Sequence, residues 1–264
     1  MKRTEKDIMQ NNSEINSLDN KGERLQKLLA HAGVASRRQA EQMILEGEVT
    51  VNGEIVTILG TRVQLQDKVA VKGKLITVPA EDLVYYLLNK PTGVISSAKD
   101  PQGRKTVIDL LQEVPQRVYP VGRLDYDTSG ILLLTNDGEL AHRLMHPRYG
   151  VEKTYRVGVK EKLSPSALDQ LQKGVVLEDG KTAPAKIREV SRLAEGPLNL
   201  IDITIHEGRN RQVRHMFARV GYPVMSLKRI RFGPLELEPN LSQGKYRKLS
   251  KPEVQALQRA VQLV

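Results

Sequence analysis

The stretch GRLDYDTSGILLLTNDG, residues 122–138, joins a charged segment to an aliphatic one. Residues 131–134 form a continuous aliphatic run bounded by Gly130 and by turn residues, a pattern that predicts a fully buried strand. Asn136, with Glu139 three residues later, is predicted to cap the helix that follows. The buried strand is therefore expected to fix the position of the charged residues that precede it.

Two aspartates, Asp125 and Asp127, lie just before this strand. Asp127 can accept a hydrogen bond from the Ser129 amide as an Asx-turn, so we interpret it as structural. Asp125 has no such local task and lies at a strand-to-turn transition, where a side chain can face a cleft. Asp125 is thus the functional candidate, although by spacing alone a structural role is the commoner interpretation.

A second segment combines an alternating strand with a basic helix: IDITIHEGRNRQVRHMFARVG, residues 201–221. Asn210 is predicted to cap the helix, whose apolar stripe places Arg214 on its flank. A flanking arginine can be half buried and reach a carboxylate. Arg211 and Arg219 are expected to stay in water.

Positive charge is concentrated in two places. Residues 207–231 carry seven Arg or Lys against one acid, an excess that favours contact with phosphates over an idle solvated face. Residues 84–97, VYYLLNKPTGVISS, contain Lys90-Pro91 and Gly93 in a rigid, basic loop leaving a strand. Alone, that loop is weak evidence of function.

Residues 24–56, RLQKLLAHAGVASRRQAEQMILEGEVTVNGEIV, predict a helix–helix–hairpin unit. Ser36 and Gln39 form a capping box at the second helix, and Asn52-Gly53 between β-rich flanks is a hairpin signal. A further strand pair is expected around four apolar residues: Val63, Leu65, Val69 and Val71.

Arg37 and Arg38 follow the Ser36 cap, where helix amides and two guanidiniums together make a phosphate site. A solvated helix face is the alternative from charge alone. This unit resembles the S4 RNA-binding domain in its AG-x-x-SRR turn, its G-x-V-x-VNG hairpin and the order of its elements. That resemblance implies RNA recognition through shape and backbone contacts.

The whole chain is basic, because 41 Lys and Arg against 31 Asp and Glu give a formal charge of +10 at pH 7. Such a surface attracts polyanions and favours nucleic-acid binding over a generically basic soluble protein. Aromatic residues make up only 4% and Trp is absent, so a stacking platform for many single-stranded bases is not expected.

Other classes of site lack their sequence signatures. The chain has no cysteine, which excludes disulfides and thiolate metal sites and fits a reducing cytoplasm. No membrane span, signal peptide or phosphate-binding glycine loop is evident. His142 and His146 lie four apart, but Arg143 stands where a zinc protease carries Glu. We expect a cytoplasmic protein with no metal, no cofactor and no membrane contact.

Four segments together resemble the RsuA/RluB branch of the pseudouridine synthases, in family order and covering most of residues 21–247. They are NKPTGVISS (89–97), YPVGRLDYDTSGILLLTNDGELAHRLMHP (119–147), EKTYRV (152–157) and EGRNRQVRHMF (207–217).

The resemblance implies isomerisation of one uridine in structured RNA to pseudouridine, with no group transfer, redox step, metal or cofactor. Asp125 matches the family's essential aspartate, and Arg214 matches the arginine that pairs with it. Tyr155 matches the active-site tyrosine that packs on the flipped base. Asp125 could attack covalently, or remove the C2′ proton to give a glycal-like intermediate, and the sequence leaves both routes open.

The target base must leave its stack, and because extrusion is easiest in loops and bulges, a hairpin or junction uridine is expected. The energy would come from RNA contacts in both domains. The residues expected to make them are Arg24, Lys27, Ser36, Arg37, Arg38, Lys90, Arg123, Lys153, Arg209, Arg211, Lys228 and Arg229.

The expected fold class is α+β. A disordered tail over residues 1–20 precedes a small S4-type RNA-binding domain over 21–80. A pseudouridine synthase domain over 83–264 follows, with a central mostly antiparallel or mixed β-sheet flanked by helices.

The expected substrate is ribosomal RNA near the peptidyl-transferase region of the large subunit, in a pre-ribosomal particle, modified by a monomer. Small-subunit rRNA is the first alternative. A non-catalytic RNA-binding protein of ribosome assembly is the second. A glycosidase-like hydrolase using Asp125 and Asp127 as paired carboxylates is the third.

Overall fold

The computed structural model describes residues 22–64, 66–77, 82–190 and 198–264. Two compact units divide between Asp82 and Leu83. The tail predicted for residues 1–20 lies outside the described residues, and so does Leu65. In the described part of the chain, no helix combines the length and apolar character needed to cross a membrane.

The first unit begins with two short helices, α1 (Leu25–His31) and α2 (Arg37–Leu45). The predicted capping box is confirmed. The Gln39 amide donates to the Ser36 Oγ at 3.3 Å, and the Ser36 amide donates to the Gln39 side chain at 3.1 Å. Two amides that the first turn leaves unpaired are thereby satisfied, so the chain enters α2 at a fixed position.

The hairpin predicted at Asn52-Gly53 is also confirmed. It joins β2 (Val49–Val51) to β3 (Glu54–Ile55), and its two turn residues have φ of 54° and 90°. Both angles lie in the left-handed region, which Asn and Gly enter at least cost and which a tight hairpin turn requires.

The second strand pair of this unit forms differently from the prediction. β4 (Arg62–Val63) pairs with β1 (Glu23–Arg24), whereas β5 (Val69–Val71) lies between β2 and β6 (Lys74–Leu75). The prediction that these two stretches pair with each other is therefore wrong. Their buried valines identify strands, but the partners are set by segments far along the chain.

The second unit is built on one mixed sheet. Its strands are β7 (Tyr85–Lys90), β8 (Tyr119–Pro120), β9 (Ser129–Thr135), β10 (Lys153–Val159), β13 (Lys186–Val190), β14 (Asn199–Ile205), β15 (Ser226–Phe232), β16 (Leu235–Glu236) and β17 (Tyr246–Lys248). Their order is β13-β14-β10-β15-β9-β7-β17, with β16 beside β15 and β8 beside β9. Among these described strands, β15 and β9 pair in parallel and the other pairs are antiparallel.

Helices and short turns complete this unit. The helices are α3 (Gly138–Met145), α4 (Pro165–Lys173), α5 (Gln212–Arg219) and α6 (Lys251–Ala260), the 3₁₀ turns are Ile108–Leu110 and Pro147–Tyr149, and β11 (Val176–Leu177) forms a small hairpin with β12 (Gly180–Lys181). The predicted α+β class with a mostly antiparallel, mixed sheet is confirmed.

Strand β9 runs through the core, and all seven of its residues are buried, as predicted for residues 131–134. Ile131 and Leu133 pack with residues of α3 and α6, whereas Leu132 and Leu134 pack in a separate cluster. A strand covered on both faces reads as a continuous apolar run rather than an alternating one.

Gly130 allows β9 and β15 to approach closely. Its φ is +108°, and a Cβ built there would overlap the backbone of Arg229. Glycine is required at this position on both counts, because other side chains would strain the turn and separate the two parallel strands. The residues before β9 are thereby held against β15.

The α3 cap differs from the prediction by one residue. The Asp137 Oδ1 accepts from the amides of Glu139 and Leu140 at 3.2 and 3.0 Å, so Asp137 is the N-cap. Asn136 instead accepts from the Val84 amide at 2.9 Å. Asn and Asp both suit an N-cap, but the Asn136 side chain is engaged by Val84 at the start of the second unit, so Asp137 takes the capping role.

The α5 cap is also corrected. Helix α5 begins after Arg211, whose φ of 47° is left-handed and whose side chain makes no cap, so Asn210 is not the N-cap. The Arg209 amide donates to the Gln212 side chain at 3.1 Å, which satisfies part of the turn from inside the helix. The alternating strand before it is confirmed, with Ile201, Ile203 and Ile205 buried in one cluster.

Candidate active site

A cavity of about 440 Å³ opens beside the loop that precedes β9. This loop forms its wall together with β10, β15 and the loop between β14 and α5. Seven of the predicted site residues line it: Arg123, Asp125, Lys153, Tyr155, Arg209, Arg211 and Arg229. The structure thus brings together segments that are far apart in sequence.

Asp125 presents a carboxylate that accepts no hydrogen bond from the residues that the structure describes. Its side chain is 26% exposed and lines the cavity. The nearest cation is Arg211, whose Nη1 lies 3.9 Å from the Asp125 Oδ2. No residue in the described part of the chain donates a hydrogen bond to this carboxylate, so its oxygens are available to a substrate.

The main chain of Asp125, in contrast, is held firmly. Its carbonyl accepts from the Lys90 Nζ at 3.0 Å and from the Thr128 amide at 3.1 Å. The Lys90 ammonium also donates to the carbonyls of Thr128 at 2.8 Å and Pro91 at 3.0 Å. The loop is therefore fixed through its backbone, which leaves the carboxylate unengaged.

This position corrects the prediction that Lys90 contacts RNA. The side chain is fully buried, and its three donor contacts are all with backbone carbonyls. Burial lowers the pKa of Lys90 to about 8, against the opposing effect of the negative charges of Asp125 and Asp127. The sequence identifies a lysine in a basic loop, but the contacts of its ammonium depend on the tertiary fold.

Asp127 pairs with Arg214, the arginine that the family resemblance assigns to Asp125, and also with Arg211. Arg214 Nη2 lies 3.0 Å from both the Asp127 Oδ2 and the Asp127 carbonyl, and Arg211 donates to the two carboxylate oxygens at 3.3 and 3.2 Å. Burial raises the pKa of Asp127, but the Arg211 hydrogen bond and the charges of both arginines hold it below its ordinary value.

Two expectations change as a result. The ion pair of Arg214 is with Asp127 rather than Asp125, and the arginine nearest Asp125 is Arg211, which was expected to stay in water. Asp127 is more than a turn residue, because it holds both arginines beside the cavity. The helix pattern places Arg214 correctly on the flank of α5, with only 15% of its side chain exposed, but it does not identify the partner.

Tyr155 lies in the middle of β10, opposite Ile203 of β14 and Arg229 of β15. Its ring is half buried, packs against the apolar core on either side and lines the same cavity as Asp125. An aromatic face beside a free carboxylate suits a planar base.

Arg209 and Arg229, two further predicted RNA contacts, both have hydrogen-bond partners within the protein. Arg209 donates to the carbonyls of Gly180 and Lys181 at 3.0 and 2.7 Å and pairs with Asp179 at 3.1 Å, so its guanidinium holds the β11–β12 hairpin. Arg229 is buried, and its Nε donates to the Ile131 carbonyl at 2.8 Å. Arg229 is therefore withdrawn from the protein surface, whereas Arg209 keeps 25% of its side chain exposed and lines the cavity, so its contact with RNA stays a prediction.

The remaining predicted RNA contacts divide by exposure. Arg123 is exposed at the cavity, Lys153 is half buried in its wall, and Lys228 is half buried outside it. In the first unit, Lys27 pairs with Glu23 at 2.8 Å. The three arginines predicted to contact RNA there, Arg24, Arg37 and Arg38, are exposed. The Ser36 hydroxyl accepts from the helix and caps it.

Ser96 is a residue of the site that the sequence analysis does not single out. Its Oγ donates to the Leu124 carbonyl at 2.8 Å and accepts from the Leu124 amide at 3.1 Å. It therefore holds the main chain of Leu124, the residue before Asp125. A buried serine within NKPTGVISS is the only signal, and it resembles any loop serine.

Comparison with known proteins defines the class of the chain. Residues 84–219 match the family model of RNA pseudouridylate synthase, and residues 23–69 match that of the S4 domain. The chain belongs to the RNA pseudouridylate synthase family, with an S4 domain before the synthase domain, as the sequence motifs implied.

Individual relatives show which members of this family the chain is similar to. The chain is 53% identical to "Ribosomal large subunit pseudouridine synthase B" of Bacillus subtilis over 235 residues, 89% of this chain and 95% of that protein. The protein of the same name in Pseudomonas aeruginosa is 42% identical over 92% of this chain and 63% of its own length. A crystal structure of pseudouridylate synthase is similar with a TM-score of 0.64 at 32% identity, covering 89% of this chain and 100% of that one.

Proposed function

We propose that this enzyme converts one uridine of large-subunit ribosomal RNA to pseudouridine, with Asp125 as the catalytic aspartate. The observation that carries the proposal is the free Asp125 carboxylate, fixed through its backbone in a cavity that also presents Tyr155. The choice of rRNA subunit rests on the 53% identity to the Bacillus subtilis protein.

The reaction needs an ionised carboxylate near C1′ and C2′ of the ribose. In one route, an Asp125 oxygen bonds to the sugar or base as the N1–C1′ bond breaks, and is released when C5 bonds to C1′. In the other, Asp125 removes the C2′ proton and returns it later. Both routes need an ionised carboxylate oxygen that the substrate can reach, and Asp125 is partly exposed at the cavity with no hydrogen bond from the described residues.

The flipped base would pack on Tyr155, and the cavity wall would exclude water from the detached uracil. Arg211, held by Asp127, would stabilise the ionised Asp125 from 3.9 Å without occupying its oxygens by a direct hydrogen bond. Arg123, exposed at the cavity mouth, would contact the RNA around the extruded nucleotide.

Affinity for the RNA would come mainly from exposed basic side chains of the S4 domain. Arg37 and Arg38 are exposed at the N-terminus of α2 and make no ion pair among the residues that the structure describes. Guanidiniums beside helix amides bind phosphate well. A monomer acting on a pre-ribosomal particle in the cytoplasm is the setting we propose.

The test is carbodiimide mapping of pseudouridine in both rRNAs from cells that lack this gene. We expect one large-subunit signal to disappear, to return with the wild-type gene, and to stay absent with Asp125→Asn. Loss of a small-subunit signal would reassign the substrate, and a full set of signals in both rRNAs would contradict rRNA modification.

A non-catalytic role in ribosome assembly predicts a different result. In that case, Asp125→Asn would restore every growth and assembly defect of the deletion strain as fully as wild type does. If the variant protein binds RNA normally but restores no pseudouridine, the catalytic proposal stands.

A further inference from the structure

Two cations in the wall of the Asp125 cavity lack an acidic partner. Lys153 donates to the carbonyls of Val151 at 2.9 Å and His206 at 3.4 Å. Arg229 uses its Nε on the Ile131 carbonyl. Within the described part of the chain, neither forms an ion pair, and the buried Arg229 Nη2 has no hydrogen-bond partner.

Such an arrangement is costly for the folded protein. Carbonyl contacts replace only part of the hydration that these cations lose, no counter-charge offsets the rest, and the two cations repel each other. Burial, together with the charge of Arg229, lowers the pKa of Lys153 to about 8, so Lys153 remains mostly protonated at neutral pH. A cavity wall of this kind is suited to a ligand that brings negative charge.

The proposed reaction generates such a ligand inside the cavity. When the N1–C1′ bond breaks, its electron pair stays with uracil, and the charge spreads over N1, O2 and O4. The base then turns until C5 faces C1′, the C5–C1′ bond forms, and the C5 proton leaves as the ring recovers its double bond. Between these steps, the base has no covalent link to the ribose, and it is a free anion both in the glycal route and when Asp125 is bonded to the sugar.

We propose that Arg229 and Lys153 bind the two carbonyl oxygens of the detached uracil and stabilise its negative charge while it turns. This rests on the proposed function, because it places the base beside Asp125. Rotation about the N3–C6 axis exchanges N1 with C5 and O2 with O4. The same two donors therefore serve the base in both orientations, which a site that read one edge of uracil would not do.

The position of the two side chains favours the base over an RNA phosphate. Arg229 lines the cavity, is only 2% exposed and has its guanidinium 4.9 Å from the centre of the Phe232 ring, so a phosphate at the protein surface cannot reach it. Tyr155 faces Arg229 across the β10–β15 pair, and a base packed on the tyrosine ring would lie beside the guanidinium. Phosphates of the strand would remain at the mouth with Arg123.

The experiment measures single-turnover pseudouridine formation with saturating enzyme and an rRNA fragment, together with the RNA Kd. For Lys153→Met and Arg229→Lys we expect rate constants about 10²–10³-fold below wild type, the usual loss for one preorganised donor to a developing anion. The Kd should change less than about twofold, and Lys153→Arg should regain most of the rate. Lys186→Met, which removes an exposed lysine paired with Glu152 outside the cavity, is the control and should match wild type.

A second substrate separates charge stabilisation from a structural role. Fluorine at C5 withdraws electrons and stabilises the uracil anion, so RNA carrying 5-fluorouridine should depend less on the two cations. We expect the Lys153→Met deficit in consumption of 5-fluorouridine to be at least tenfold smaller than with uridine, whereas a distorted cavity would slow both substrates equally.

Three outcomes would overturn the inference: an equal deficit on both substrates, a raised Kd with an unchanged rate as for a phosphate contact, or no change at all. Unfolding midpoints are measured alongside, because Arg229 also holds the Ile131 carbonyl. Lys153→Met and Lys153→Arg keep the test decisive if Arg229→Lys is unstable. Full activity in Asp125→Asn would instead contradict the proposed function, whatever Lys153 and Arg229 do.

Discussion

Asp125 and Asp202 are both carboxylates next to arginines in the same unit, yet their surroundings differ. Asp202 is buried at 3% exposure and accepts from Arg156 at 2.9 and 3.1 Å and from Arg188 at 2.6 Å. These three residues lie opposite one another on β10, β14 and β13. Asp125 accepts no hydrogen bond from the described residues, and its nearest guanidinium is 3.9 Å away.

The difference shows which feature separates a structural carboxylate from a catalytic one, namely whether its oxygens are already hydrogen-bonded within the protein. Both oxygens of Asp202 are engaged, so this side chain stabilises strand pairing and has nothing left for a ligand. Asp125 is positioned through its carbonyl, by Lys90 and Thr128, and its oxygens stay free. Three changes test this comparison.

Among these three changes, the largest effect is expected from Lys90→Met, which keeps the side-chain volume but removes the ammonium that holds the Asp125 carbonyl. The Asp125 loop should shift, so the single-turnover rate should fall about 10²-fold. The free energy of unfolding should fall by about 2–4 kcal/mol, since three buried carbonyls lose a charged donor. Kinetics at saturating enzyme and chemical denaturation measure the two effects.

The exposed lysine variant Lys99→Met is the control for Lys90→Met and should match wild type in both assays. If Lys90 were instead an RNA contact, as its sequence setting suggests, Lys90→Met would raise the Kd and leave the saturated rate unchanged. That result would show that Lys90 does not position the Asp125 loop.

A smaller effect, on stability and not on rate, is expected from Asp202→Asn. The free energy of unfolding should fall by about 1.5–3 kcal/mol because charge-assisted hydrogen bonds are lost, while the saturated rate stays within about twofold. Burial raises the pKa of Asp202, but Arg156 and Arg188 lower it more, so it lies below the ordinary 3.8. Its stabilisation is present above pH 3.8 and is lost as pH falls through the folded-state pKa.

Chemical denaturation of wild type and Asp202→Asn at neutral pH and near pH 3 measures the stabilisation that the ionised Asp202 contributes. The difference between the two proteins should shrink in acid. A strong loss of catalytic rate with unchanged stability would reverse the roles assigned to Asp202 and Asp125.

The smallest effect is expected from Arg37→Glu with Arg38→Glu, which changes the affinity for RNA and leaves the Asp125 cavity intact. The Kd should rise about tenfold and the salt dependence of binding should weaken by about one phosphate contact per arginine. Rate at saturation should be unaltered. Arg37→Lys with Arg38→Lys is the matched control, and an identical salt slope for both pairs would exclude a phosphate role.

Much of the fold follows from local sequence. The Ser36 capping box, the Asn52-Gly53 turn and the buried strand at residues 131–134 depend on neighbours within a few residues, so the pattern predicts them correctly. The strands at Val63 and Val69 are found but not their partners, because pairing depends on distant segments.

The charged groups are harder to place for the same reason. Lys90, Arg209 and Arg229 look like surface cations in sequence, but each donates to backbone carbonyls that distant residues supply. Periodicity places Arg214 on the flank of α5, yet which of two neighbouring aspartates it meets depends on the turn at Asp127. No pattern in the sequence encodes these contacts.

The most direct test compares Asp125→Asn with Asp127→Asn in single-turnover pseudouridine formation at saturating enzyme. Asp125→Asn should lower the rate more than about 10³-fold with unchanged unfolding midpoint and RNA Kd, since it removes the reacting oxygen. Asp127→Asn should lower it only about tenfold, because it weakens the hold on Arg211 and Arg214. Equal losses, or the larger loss at Asp127, would contradict the assignment of Asp125.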